Sequence, residues 1–164
     1  MNPMREINIE KVVLSVGGVG EKLERGFKLL KYLTGRKPIK VKTFKRIPSF
    51  EIRPRLEVGA MVTIRRGAYD ILRRMLAARD NTLSKKSVSE NTLSFGIKEY
   101  IEIPETEYQR EIGILGLDVT ISFARKGKRL ALKKRGRGKI PEKQRVAKEE
   151  IIKFMENTFK TKFV

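Results

Sequence analysis

The stretch Gly17-Gly18-Val19-Gly20-Glu21-Lys22 lies between a β-branched run and a helically periodic one, where phosphate-cradling loops sit. It fits neither familiar template. A P-loop needs G-x-x-x-x-G-K followed by Ser or Thr, whereas Gly20 precedes Glu21 and Lys22 precedes Leu23. The dinucleotide fingerprint needs a third glycine where Leu23 stands. A tight strand-to-helix turn is the plainer reading. Free amides at the start of a helix, open to a phosphate, are the alternative.

A second cluster with chemical potential is acidic. Residues 98–111 carry Glu99, Glu102, Glu105, Glu107 and Glu111 against Lys98 and Arg110. Paired carboxylates can do hydrolytic acid–base work, but such pairs usually come from separate elements. No metal-ligand spacing surrounds these five, so the segment reads as a solvated connection. The chain has no Cys and no His. That excludes disulfides, structural zinc sites, Cys nucleophiles and His acid–base chemistry. Carboxylate or Lys catalysis stays open, and no cofactor is expected.

The third cluster is cationic. There are 38 Lys and Arg against 19 Asp and Glu, a formal charge of +19, yet 40% of the 164 residues are apolar. The chain can therefore bury a core, while its self-repulsion calls for a polyanion. No apolar run approaches the length of a membrane span, and no signal-peptide or lipidation pattern is seen. Nucleic acid is the partner this balance points to, and a membrane is not. The charge peaks in residues 125–148, with twelve Lys or Arg and one acid, Glu142. Gly127, Gly136 and Gly138 loosen a basic loop at about 125–140 that includes Lys126, Lys128, Arg129, Lys133, Lys134, Arg135 and Arg137. Such a segment conforms to phosphates on binding.

The elements that must position these groups follow from periodicity. Ile7 to Val16 reads as a strand whose alternation changes phase between Ile9 and Val12, the mark of a bend or bulge. Glu21 to Thr34 is a helix with Leu23, Phe27, Leu30 and Leu33 on one stripe and Gly35 as its stop. Ile39 to Arg46 alternates, with Ile39, Val41 and Thr43 on one face and Lys40, Lys42, Phe44 and Arg46 on the other. Pro48 and Pro54 make 47–55 a long loop. Leu56 to Arg65 is the clearest strand, its even positions apolar. Gly67 precedes a helix with Ile71, Leu72, Met75 and Leu76. Residues 81–92 read as loop, Leu93 to Ile97 and Leu117 to Phe123 as strands. Pro141 suits the first turn of a last helix whose stripe uses Ala147, Ile151, Phe154, Met155 and Thr158. The order predicts one α+β domain over 1–164: a largely antiparallel sheet with helices packed on one face.

In that arrangement Ser15, Lys40, Lys42, Arg46, Thr63, Arg65, Thr120 and Ser122 point away from the helices. Small hydroxyls mixed with cations can approach phosphates and ribose hydroxyls, though an ordinary solvated sheet face has the same composition. Phe44 and Phe50, beside Lys45, Arg46, Arg53 and Arg55, can stack on bases.

Four motifs resemble one family in order along nearly the whole chain. The opening NPMREINIEKVVLSVGGVGEK, GRKPI (Gly35 to Ile39), IPSFEIRPRLEVGAMVTIRRG (Ile47 to Gly67) and GILGLDVTI (Gly113 to Ile121) are similar to the universal large-subunit ribosomal protein that binds 5S rRNA, numbered five in bacteria and eleven in eukaryotes. The Asn2-Pro3-Met4 start and the basic C-terminal segment look archaeal. The resemblance implies a cytoplasmic, ribosomal protein of the central protuberance. Its expected partners are 5S rRNA, large-subunit rRNA, P-site tRNA and neighbouring ribosomal proteins. It would direct the loop from about Pro48 to Glu57 at the tRNA elbow, with Phe50, Arg53 and Arg55 in contact, and Thr63 and Arg65 onto the RNA-facing strand. Two positions depart from the family: Ser15 stands where Asn is common, and Arg36 where Gln is. The surface there carries over; the particular hydrogen bonds do not. The competing function, an RNA-processing or RNA-modification enzyme, would need a pocket of perturbed acids or lysines, or a cofactor loop.

Overall fold

A computed structural model describes residues 3–164; Asn2 of the opening motif lies outside the described residues. Strand β1 (Ile7–Gly17) runs into helix α1 (Glu21–Thr34), followed by β2 (Ile39–Lys42), β3 (Glu57–Ile64) and α2 (Ala68–Ala77). Then come the short β4 (Thr82–Leu83) and β5 (Val88–Ser89), β6 (Thr92–Ile97), β7 (Leu117–Arg125), the one-turn helix α3 (Arg129–Leu132), α4 (Lys148–Phe159) and β8 (Lys162–Phe163). Six strands form one sheet in the order β2-β3-β1-β7-β6-β5. Every neighbouring pair in it is antiparallel. The fold is α+β.

Alternation places one residue in two on each face. Val12, Leu14 and Val16 of β1, Ala60, Val62 and Ile64 of β3, and Val119, Ile121 and Phe123 of β7 are all buried. Leu23, Leu29, Leu30 and Leu33 of α1 and Leu72, Met75 and Leu76 of α2 join them in one core, and Phe154 of α4 packs edge-on against Phe123. The phase change in β1 is a bulge between Ile9 and Lys11. It keeps Ile9, opposite buried Phe123, and Val12, opposite buried Ile121, on the same side. Gly26 is where α1 touches β1 most closely: a Cβ there would lie 2.8 Å from Cγ1 of Val16. Gly35 ends α1 with φ 64°, a left-handed cap that glycine adopts without strain.

Three local expectations change. The stretch 81–92, read as loop, contains β4 and β5, and β4 pairs in parallel with β8. Pro141 does not start the last helix. It precedes a 3₁₀ turn at Glu142–Gln144, and α4 begins at Lys148, with Ile151, Met155 and Phe159 buried but Ala147 and Thr158 exposed. The basic loop also carries the helical turn α3.

Candidate nucleic-acid interface

The face of the sheet away from the helices is open. It presents Ser15 and Val13 of β1, Met61 and Thr63 of β3, Thr120 and Ser122 of β7, and Thr92 and Ser94 of β6. Most are half-buried by their neighbours, and the Ser94 and Thr120 hydroxyls lie 3.1 Å apart. Cations are nearly absent from its middle. Lys11, in step with Val13 and Ser15 just after the β1 bulge, is the exception and stands opposite Ser122. Asp118, exposed and opposite Ser15, is the one acid of β7 on this face.

Lys40 is not on the open face. Lys40 pairs with Ala60, which is buried beneath the helices, while Ile39 pairs with Met61 on the open side and is itself exposed. A register shift between Val41 and Lys42 sets Lys42 opposite Glu57. The Lys40 ammonium donates to Glu24 of α1, lies 3.5 Å from Glu57 and sits 5.8 Å from the centre of the Phe27 ring. The hydrogen bond to Glu24 is the main reason its pKa lies above the ordinary lysine value, with partial desolvation opposing and the charges of Glu24 and Glu57 adding. Lys42 lies 3.8 Å from the same Glu57. From Ile39 to Val41 the edge strand thus runs in the phase opposite to the expected one; Lys40 fastens the sheet edge to α1, whereas Lys42 lies beside Glu57 of the neighbouring β3. Arg46 belongs to no strand, and Arg65 follows the last residue of β3; both are exposed.

Unpaired cations gather at the two ends of the strands. The β2–β3 connection, residues 43–56, is an arm closed by hydrogen bonds between Thr43 and Leu56 and between Ile47 and Ile52. A 3₁₀ turn at Pro48–Phe50 forms its tip, where Phe50 is 74% exposed; Phe44, near the base, is 91% exposed. Lys45, Arg46, Arg53 and Arg55 have no carboxylate partner among the described residues. Because Gly17 pairs with Gly59 whereas Ile7 pairs with Arg125, the arm leaves one end of the sheet and the basic loop the other.

In the basic loop the charges divide into two sets. Lys126 bonds Glu6 at 2.8 Å and Lys128 bonds Glu10, which ties the loop's root to β1 and its approach. Arg125 is engaged internally too: its Nη2 donates to both oxygens of Glu150 at 2.6 and 2.7 Å, docking α4 on the end of β7. Arg129, Lys133, Lys134, Arg135 and Arg137 have no acid partner among the described residues, and neither does Lys139, which is not among the candidates drawn from the sequence. All six are exposed.

The other candidate chemistries come apart. Gly20 caps α1 with φ 63° and ψ −129°, a backbone shape that makes the glycine run a turn. Glu21 and Glu24 already occupy the positive end of the helix. The five acids of 98–111 spread along a connection: Glu111 bonds Lys28 at 2.6 Å and Glu105 lies 3.6 Å from Arg74. The hydrogen bond from Lys28, with its charge, holds the Glu111 carboxyl below the usual carboxylate range. No group of His, Asp or Glu among the described residues is arranged to hold a metal ion. No helix among them is long and apolar enough to cross a membrane.

Two family models match the chain: ribosomal protein L5 over residues 2–53, and the C-terminal region of the same ribosomal family over 57–154. The chain belongs to the ribosomal protein L5 family. It is 43% identical to the large ribosomal subunit protein uL5 of Nanoarchaeum equitans, with 93% of each chain covered. The uL5 of Sulfurisphaera tokodaii is 38% identical over the whole chain and 96% of its own length. That of Methanobrevibacter smithii is 38% identical over the whole chain and 99% of its length. This is a family of ribosomal proteins and not of enzymes. The two matched stretches do not form separate sheets, because β1 of the first stands between β3 and β7 of the second.

Proposed function

We propose that the protein is a structural constituent of the large subunit of the cytoplasmic ribosome, where it holds 5S rRNA and large-subunit rRNA in the central protuberance. Family membership supports the ribosomal role. The observation that carries the RNA reading is the distribution of free charge. A hydroxyl-lined, nearly cation-free sheet face lies between two groups of unpaired Lys and Arg at opposite ends of its strands. Small hydroxyls admit an RNA backbone to close contact, and the cations at both ends neutralise phosphates, so contour and charge act together.

In this reading Ser15, Thr63, Thr120 and Ser122 meet ribose and phosphate on the face. Arg65, Arg129, Lys133, Lys134, Arg135 and Arg137 grip the flanking backbone. Lys126 and Lys128 contribute only by exchanging their glutamates for phosphate. The arm, with exposed Phe50 and unpaired Arg53 and Arg55, reaches toward P-site tRNA. Competition in a gel-shift assay tests the RNA claim. Binding of labelled 5S rRNA is expected to survive excess bulk tRNA at moderate salt; equal displacement by tRNA would overturn it.

A further inference from the structure

The geometry points to a pocket for a single unpaired nucleobase at the end of the sheet opposite the arm, an inference that rests on the RNA-binding reading above. A cavity of about 240 Å³ opens where β7 gives way to the basic loop. Phe123 and Ile140 form its apolar wall, and Asn91 and Gln144 bring side-chain amides to it. The volume is below the ~300–1,000 Å³ of sites that take drug-sized ligands, a size suited to one heterocycle.

The chemistry of the wall selects a neutral occupant. Its three cations are each already matched to an acid. Arg125 is held by Glu150, Lys128 by Glu10, and Arg145 lies 3.7 Å from Glu90. A phosphate would have to compete with these carboxylates, least strongly at Arg145, whose pair with Glu90 is exposed on both sides. Among the described residues the two side-chain amides leave one donor and one acceptor unused, and the Arg125 Nε, fully buried, also lacks a partner. Asn91 accepts from the Val146 backbone N–H through Oδ1, and its Nδ2 makes no hydrogen bond among the described residues. Gln144 donates through Nε2 to the carbonyl of Lys126, and its Oε1 likewise stands free. A free donor and a free acceptor beside apolar surface match the edge and face of an unstacked base. The backbone holds Asn91 firmly in place, since its N–H donates to the carbonyl of Val146 and its own carbonyl accepts from Phe123 at 2.8 Å.

Isotope-labelled protein titrated with each of the four ribonucleoside 5′-monophosphates, and with ribose 5-phosphate, tests this by NMR. Saturable shifts of the Asn91 and Gln144 side-chain amides are expected, differing among the four bases and absent with ribose 5-phosphate. Ile140→Trp, which fills the cavity, and Gln144→Leu, which removes the acceptor, should each weaken the preferred mononucleotide about tenfold or more. The rest of each variant's spectrum reports whether it is folded. No amide shift with any mononucleotide, equal shifts with ribose 5-phosphate, or unchanged binding by both variants would overturn the pocket. Loss of 5S rRNA binding by the wild-type protein would instead strike the parent reading, and the gel shift records that separately.

Discussion

Replacing Arg129, Lys133, Lys134, Arg135 and Arg137 together by serine is the sharpest test of how charge is used. None of the five has a carboxylate partner among the described residues, so their removal breaks no ion pair within the described fold. Each phosphate contact on a duplex contributes about 0.9 to the slope of log K against log salt, so five contacts account for about 4.5. Between about 50 and about 200 mM salt, a slope difference of that size means the wild type loses about 500-fold more affinity than the variant. Filter binding to 5S rRNA across a salt series reads this directly. The matched control is Lys126→Ser with Lys128→Ser, whose lysines sit on Glu6 and Glu10 and should change the slope by much less. Equal slopes for wild type and the fivefold variant would refute the assignment of these cations to phosphates. A larger effect from the control pair would refute the division into paired and free charge.

Lys40→Met should lower the melting temperature, since it removes the link from β2 to Glu24, yet leave 5S rRNA affinity near wild type; a loss matching Arg65→Glu would return Lys40 to the interface. Phe123→Ala empties a core site that packs edge-on against Phe154, and urea unfolding should show a cost of about 3–5 kcal/mol. Gly116→Ala should cost about 1–3 kcal/mol or more in the same assay, because a Cβ there would lie 2.7 Å from the carbonyl oxygen of Lys98. Residues 1–53 and 57–164 expressed separately should each lack a cooperative thermal transition by circular dichroism, as β1 is the strand that joins β3 to β7. A cooperative transition in either piece would argue for two independent domains.

The sequence was most legible where pattern and burial coincide. Glycines at both ends and a leucine stripe between them mark the observed limits of α1, Glu21 and Thr34. Strict alternation picks out the buried set Ala60, Val62 and Ile64 of β3. The β1 bulge was visible because apolar side chains change parity across it. Edge strand β2 defeated the same logic. Its four residues, Ile39 to Lys42, alternate equally well in either phase, and the one observed exposes Ile39 while setting Lys40 beside Glu24 and Glu57. Which loop cations are free was not legible at all. Lys126 and Lys128 differ from Lys133 and Lys134 only by the accident of Glu6 and Glu10 lying across the β1–β7 ladder, and that requires the register. The short β4–β8 pair joins segments too brief to carry a period.

Amide hydrogen exchange with and without 5S rRNA puts the surface itself to the test. RNA should slow exchange in β1, β6 and β7 around Ser15, Ser94, Thr120 and Ser122 and in the basic loop, leaving the solvent side of α1 and α2 unchanged. Protection confined to the helices, or none anywhere on addition of saturating 5S rRNA, would contradict an RNA grip on the open face.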